Sequence, residues 1–350
     1  MLTEEVARSL VARGHTVTLF AAAVDDRPER ETVEGVQIVR RGTRLGVYRA
    51  ARRFWAEEGA GSCDVIVDEI NTRPFLTPRW IRDTPVVALI HQLAREIWFD
   101  ETPFPLSVLG RYVLEPWWLR TYRAVPALTV SQSSAESLER HHGWRDVTVI
   151  REGYTPHPVP AVERETEPTV VFLGRLVAMK RPDEAIEAFR LLRRQFPSAR
   201  LWMIGDGPRL PHLRRDAPPG VDFLGRLSRS DVLDRLARAH VLVATSVREG
   251  WGLNVSEAAA CGTPTIGYSV SGLVDSIPAS GGSLVAPKPE LLGKALSDFF
   301  AGGLELRPKI STVPWPDVAV NVESRLLEVV EASSQGHATS RIHGRRRRGA

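Results

Sequence analysis

A chain of 350 residues has room for two α/β domains of ordinary size, each with its own core. With 43% hydrophobic and 25% charged residues it sits near globular averages, and no apolar run approaches the roughly eighteen residues of a membrane-spanning helix. The net charge of +4 resides at the chain's end, because removing the five arginines Arg341 and Arg345 to Arg348 leaves −1, which argues against a specific nucleic-acid-binding body. Cys63, in a strand-like run, and Cys261, at a helix end, form no spaced cluster, so neither a disulfide framework nor a zinc site is expected. No charged leader followed by an apolar segment opens the sequence, and the expected location is a reducing cytoplasm, with peripheral contact at the inner membrane face left open.

Residues 3–13 read as an amphipathic helix running into ARGHTVTLF. A doubly wound domain normally opens with a strand and a tight loop, so its first strand is missing from the pattern. Either the start lies downstream of the true one, or an element usually central to the sheet has been lost. Short β-rich runs then alternate with helical patterns: VQIVR, CDVIVDEI, PVVALIH, PALTVSQ and VTVIRE. Such alternation predicts βαβ units and a mostly parallel sheet over residues 1–155. A Pro-rich stretch makes 156–168 a linker. The alternation restarts with PTVVFLGR, ARLWMIGDGP, VDFLGR, HVLVATS and PTIGYSV, with helices expected over Arg181–Phe196 and Ser230–Ala239, so 169–312 forms a second doubly wound domain. Within 313–332, Val318–Val330 predicts a terminal helix, and the Ser/Gly/His-rich, then Arg-rich, 333–350 is expected to be disordered.

Chemistry concentrates between HVLVATS and PTIGYSV, where Glu249-Gly-Trp-Gly-Leu-Asn-Val-Ser-Glu257 reads as a strand end, a glycine-bearing turn and a helix start. Ligands bind at the carboxyl ends of strands in open α/β sheets, and Gly250 and Gly252 let backbone approach them closely. The amides at Leu253, Asn254 and Val255 would face an anion such as a diphosphate. Glu249 and Glu257 bracket this niche, and carboxylates accept hydrogen bonds from sugar hydroxyls. A plain strand–turn–helix with solvated acids is the competing reading. PTVVFLGR also ends at a strand terminus, with Gly174-Arg175 and then Lys180, one of four lysines in an arginine-dominated chain. A fork donor beside a point charge suits a diphosphate leaving group. No Asp-x-Asp triplet occurs, so no metal and no separate cofactor are expected.

The motif Glu249-x7-Glu257, the Arg175 and Lys180 pair and Ile204-Gly-Asp-Gly-Pro208 resemble the donor domain of the retaining glycosyltransferases of family four, which have the GT-B fold. By what this resemblance implies, Arg175 and Lys180 hold the diphosphate of a nucleotide-diphosphate sugar and Glu257 binds its ribose. Glu249 contacts the transferred sugar, backbone near Gly252 to Asn254 touches phosphate or sugar, and VDFLGRLS lines the base pocket. The first half is similar to the acceptor domain in ARSLVARGHTVTLF, SQSSAESL and VTVIREGY. His91 matches a histidine that enters the cleft near the sugar, although a lone histidine at a strand end is as readily structural. Two departures stand out: the absent glycine-rich first loop, and Glu152-Gly153 where Asn-Gly is commoner.

Arg40 to Arg53 with Phe54-Trp55, and the aromatic stretch Trp98 to Tyr122, interleave basic and aromatic residues in the acceptor half, as surfaces lying on anionic membranes do. A lipid-linked sugar, a polysaccharide precursor and a small metabolite all remain acceptors, with a nucleotide-sugar epimerase and a catalytically impaired binding protein as alternative functions.

Overall fold

The computed structural model describes residues 2–155, 162–310 and 313–346, with side chains described up to residue 335. Helix α1 (Leu2–Ala12) leads into a three-stranded sheet of β1 (Thr18–Ala21), β2 (Arg30–Val33) and β3 (Val36–Arg40), ordered β1-β3-β2. β1 and β3 are parallel, but β2 and β3 form an antiparallel hairpin. Its two-residue turn, Glu34-Gly35, takes positive φ at both positions (50° and 82°), the conformation that matches the twist of paired strands. The hairpin departs from the parallel pattern expected here, because Glu is not a signal residue for such a turn.

After helix α2 (Val47–Phe54), a separate parallel sheet follows, β4 (Ile66–Glu69), β5 (Val86–Leu89), β6 (Ala127–Thr129) and β7 (Val147–Val149), in that spatial order. Cys63 lies exposed in the turn ahead of β4 rather than in a strand. Three short helices, α3 (Ile97–Glu101), α4 (Leu106–Leu109) and α5 (Glu115–Leu119), lie between β5 and β6, and α6 (Gln132–His142) links β6 to β7. The cap of α6 is local chemistry: Ser131 accepts from the Ser134 amide, and Gly143 closes the helix at φ 62°. β1 and β4 each end a sheet, and Thr18, Ala21 and Val67 are exposed there.

The second unit is one six-stranded parallel sheet: β9 (Thr169–Leu173), β10 (Arg200–Ile204), β11 (Val221–Gly225), β12 (Val241–Ala244), β13 (Thr265–Tyr268) and β14 (Ser283–Val285). β8 (Gly153–Tyr154) precedes it and pairs instead with β15 (Val313–Pro314). Period-2 alternation sorts its side chains. Val170, Phe172, Leu201, Met203, Val241 and Val243 face helices α7 (Pro182–Gln195) and α12 (Pro289–Phe300). Val171, Trp202, Ile204 and Leu242 face α9 (Arg229–Arg238) and α10 (Leu253–Ala260) on the other side. Both faces are therefore buried, as a parallel sheet requires. The short helices α8 (Leu210–Asp216) and α11 (Leu273–Ala279) complete this unit.

Helix α13 (Trp315–Arg346) crosses back to the first unit, where Trp315, Val318 and Val322 join a core with Leu2, Val6, Leu89 and Leu128. Its helical backbone extends well beyond Val330, into the segment expected to be disordered. Once the first turns are docked, each further residue adds one hydrogen bond without a new nucleation step, and the Glu-Ala-Ser-Ser-Gln run opposes this only weakly. Residues 347–350 and the linker residues 156–161 lie outside the described residues.

Candidate active site

The strand order β11-β10-β9-β12-β13-β14 reverses between β9 and β12. Chains leaving the carboxyl ends of these neighbours depart in opposite directions, which opens a crevice at the switch point. Both loops singled out in the sequence leave from it. The loop after β9 carries Arg175 and then Lys180, the latter in a single tight turn, Ala178–Lys180. The loop after β12 carries Thr245 to Gly252. Backbone ties hold the two in register: Val247 donates to the Met179 carbonyl at 2.8 Å, and the Thr245 hydroxyl reaches the carbonyls of Lys180 (2.8 Å) and Arg181 (2.9 Å).

Side chains of opposite sign meet across this seam. Lys180 donates to Glu249, whose same oxygen accepts from the Ser246 hydroxyl at 2.6 Å. Glu249 is only 9% exposed, so its charge is held by these two donors rather than by solvent. Arg175 is exposed and forms no ion pair among the described residues, leaving its guanidinium available to a ligand. Gly252 caps α10 at φ 94°, a left-handed conformation that suits glycine, and Leu253 and Asn254 begin the helix. The Asn254 side-chain amide donates to the Leu173 carbonyl at 2.9 Å, tying α10 to the end of β9. Glu257, one turn further on, is 8% exposed and pairs with Arg229 at 2.5 Å. The two glutamates thus have different cationic partners at opposite ends of the turn. Cys261 closes the helix, and burial pushes its thiol up to about 11, which makes it inert.

The first unit closes over this edge. Gly250 stands against the end of β5, where a Cβ on it would lie 3.0 Å from the His91 carbonyl oxygen. The His91 ring bonds Glu152 through Nδ1 at 3.1 Å and approaches Glu69 at 3.8 Å through Nε2, so its ion-pair partners both come from its own unit. Several polar ties cross the cleft. Glu101 accepts from the Met179 amide (3.2 Å), Glu96 pairs with Arg248 (3.1 Å), and Ser133 accepts from the Gly272 amide (2.7 Å) and donates its own amide to Asp275 (3.1 Å). Burial lowers the Arg248 pKa below its usual value, which marks this contact as substantially dehydrated.

Sequence reading overlooked Ser246, Arg229, Ser133, Glu101 and Gly272, whose roles arise from segments distant in the chain. Gly272 is the clearest. At φ 84° it lies against the Glu249 backbone, and a Cβ there would overlap the Glu249 carbonyl. Gly272→Ala is therefore expected to cost about 1–3 kcal/mol of stability and to displace Glu249. Thermal unfolding beside nucleoside diphosphate binding checks this, and a variant matching the parent in both would refute the proposed fit.

Two Rossmann-like units facing a cleft, with cations and carboxylates at the switch point of the second, define the GT-B class of fold. A family model described as Glycosyltransferase Family 4 matches residues 1–157, and one described as Glycosyl transferases group 1 matches residues 157–312. The chain belongs to family 4 of the glycosyltransferases. A GDP-mannose-dependent alpha-(1-6)-phosphatidylinositol dimannoside mannosyltransferase of Mycobacterium tuberculosis is 35% identical over 37% of this chain and 35% of its own length. A glycogen synthase of the same species is 28% identical over 69% of this chain and 59% of its own. The chain thus matches about a third to three-fifths of these curated relatives. Among solved structures, a sucrose-phosphate synthase from Thermosynechococcus elongatus superposes with a TM-score of 0.66 at 17% identity, covering 97% of this chain and 93% of that one. WaaG, a glycosyltransferase involved in lipopolysaccharide biosynthesis, reaches 0.63 at 18% identity, covering 95% and 94%.

Proposed function

We propose that the chain transfers a sugar from a nucleotide-diphosphate sugar to a hydroxyl of a membrane-borne acceptor, with retention at the anomeric carbon and without a metal ion. The observation that carries this reading is the seam at the β9/β12 switch point, where the loop carrying Arg175 and Lys180 is hydrogen-bonded to the loop that leads into α10 and Glu249 lies in contact with Lys180. A diphosphate entering there competes with Glu249 for Lys180. Its arrival neutralises the lysine and frees the carboxylate to face the sugar.

In the reaction, the bond between the anomeric carbon and the diphosphate oxygen breaks. Negative charge grows on the leaving oxygens, where Arg175, Lys180 and the N-terminus of α10 oppose it with dipoles and charges fixed before the reaction starts. Positive charge grows on the sugar ring, beside Glu249. The acceptor oxygen bonds the anomeric carbon on the face the diphosphate leaves, and its proton passes to a leaving-group oxygen. Glu257 holds the ribose, and His91 lines the sugar end of the cleft. A lipid-borne acceptor is supported by the relatives named for phosphatidylinositol substrates.

Nucleoside diphosphate in the presence of a chelator is expected to raise the melting temperature, since a ligand at about a hundred times its Kd stabilises the native state by about 2.7 kcal/mol. Equal shifts with citrate, a shift that requires magnesium, or epimerisation of the nucleotide sugar without an acceptor would each overturn the reading.

A further inference from the structure

Among the described residues, eight of the sixteen exposed large apolar side chains fall between Phe99 and Trp117, so exposure of this kind is concentrated in one short segment. Leu106, Leu109, Val113 and Trp117 recur at helical spacing along α4, α5 and the wider helical turn Gly110–Leu114 that joins them, with Phe104 (83% exposed) and Tyr112 beside them. The opposite face is packed: Gly110 lies against the Trp98 ring, and Trp118 and Leu119 are buried. From residue 102 to 125 the charged residues are Arg111, Glu115, Arg120 and Arg123, and the one acid is buried, accepting from the Ala94 and Arg95 amides and the Trp98 indole. Residues 102–125 therefore present apolar and positive groups to solvent and no negative ones, while the two acids just ahead of them, Asp100 and Glu101, face the second unit, where Glu101 accepts from the Met179 amide and Asp100 lies near Arg181.

This stripe continues into a second feature. Arg79 stacks over the Trp117 ring (4.7 Å), and the next residue, Trp80, lies under Arg52 of α2 (5.7 Å). Arg49, Arg52 and Arg53 share one face of α2 by their spacing and line an open hollow of about 720 Å³ with Arg41, Gly42 and Gly46. Glu57 on its rim is paired with Arg41 at 3.4 Å. Arg49, Arg52, Arg53, Arg111 and Arg120 form no ion pair among the described residues.

We propose that this face, running from the arginine hollow of α2 across Arg79-Trp80 to the stripe on α4 and α5, docks on an anionic lipid bilayer. The aromatic and aliphatic tips enter the headgroup layer, and the arginines bind lipid phosphates above it. A surface of many phosphates matches positive charge distributed along the whole face, whereas a protein partner would have to supply an equally extended acidic patch. The proposal deepens the reading of a membrane-borne acceptor, because it would bring the acceptor half of the cleft to the bilayer. It is tested apart from that reading, since nucleoside diphosphate binding reports the donor site alone.

The full chain is sedimented with phosphatidylcholine vesicles, with and without roughly 30 mol% phosphatidylglycerol. Binding is expected only with the anionic lipid, with a blue shift of tryptophan emission and release in about 0.5 M sodium chloride. Arg49→Gln/Arg52→Gln/Arg53→Gln should weaken partitioning by about a hundred-fold, and Tyr112→Ser/Trp117→Ser by about ten-fold, both keeping the nucleoside diphosphate melting shift. The single Arg49→Glu variant serves if the triple variant does not fold. All proteins compared keep the arginine-rich chain end, so differences between them report this face. Equal binding to neutral vesicles, unchanged binding by the arginine variants, or displacement by inorganic phosphate at matched ionic strength would each overturn the proposal. So would retention of the chain only when a protein partner is added.

Discussion

Glu249→Gln is expected to lower kcat by about ten- to a thousand-fold while nucleoside diphosphate affinity stays within about two-fold of the parent or tightens. The buried carboxylate is held by Lys180 and the Ser246 hydroxyl, and Lys180 is also the cation the diphosphate would recruit. Glutamine keeps the size and can still accept from Ser246, but it gives up the charge. A neutral group competes less for Lys180, so the diphosphate loses nothing and can gain. What disappears is the negative charge beside the sugar when positive charge develops there, a deficit felt in the transition state rather than in the ground state. The measurement is initial rates with donor and acceptor beside calorimetry with nucleoside diphosphate. A parallel fall in both would show that Glu249 serves the nucleotide and not the sugar.

How far such roles could be read in advance depends on whether they are written locally. The β9 to β13 strands and the crevice they form were legible, because buried parallel strands are short apolar runs and the site residues follow them by a few positions. Glu249, Gly252 and Glu257 belong to one continuous turn and helix, so their spacing alone described the niche. Contacts made by chain segments far apart were not legible. Ser133 and Glu101 reach across the cleft to Gly272 and Met179, 139 and 78 residues away, and Arg229 finds Glu257 only once α9 packs beside α10. The same limit hid the docking of Trp315 on Gly153, where an added Cβ would collide with the indole. His91 was placed correctly at the end of β5, yet its pairing with Glu152 and Glu69 depends on three strand ends coming together, and no local pattern records that.

Glu257→Ala is expected to weaken nucleoside diphosphate and nucleotide sugar alike, by about 1.5–3 kcal/mol, or about ten- to a hundred-fold. Glu257 sits one turn into α10, with one oxygen engaged by Arg229; the other, which accepts no hydrogen bond among the described residues, is the atom assigned to the ribose hydroxyls. Both ligands carry the ribose, so both should lose the same contact, whereas a residue on the sugar would discriminate between them. Arg229 is half-exposed, and its guanidinium can hydrate when the carboxylate is gone, so the loss reflects the missing acceptor more than a stranded charge. Arg229→Ala provides the control: it leaves Glu257 its acceptor oxygens and removes only a solvent-screened partner, so affinity should fall by less than about 1 kcal/mol. Calorimetry with nucleoside diphosphate on both variants, set beside Glu249→Gln, separates the assignments. If Glu257→Ala binds nucleoside diphosphate as the parent does, or loses only the nucleotide sugar, the ribose belongs elsewhere and the two glutamates exchange roles.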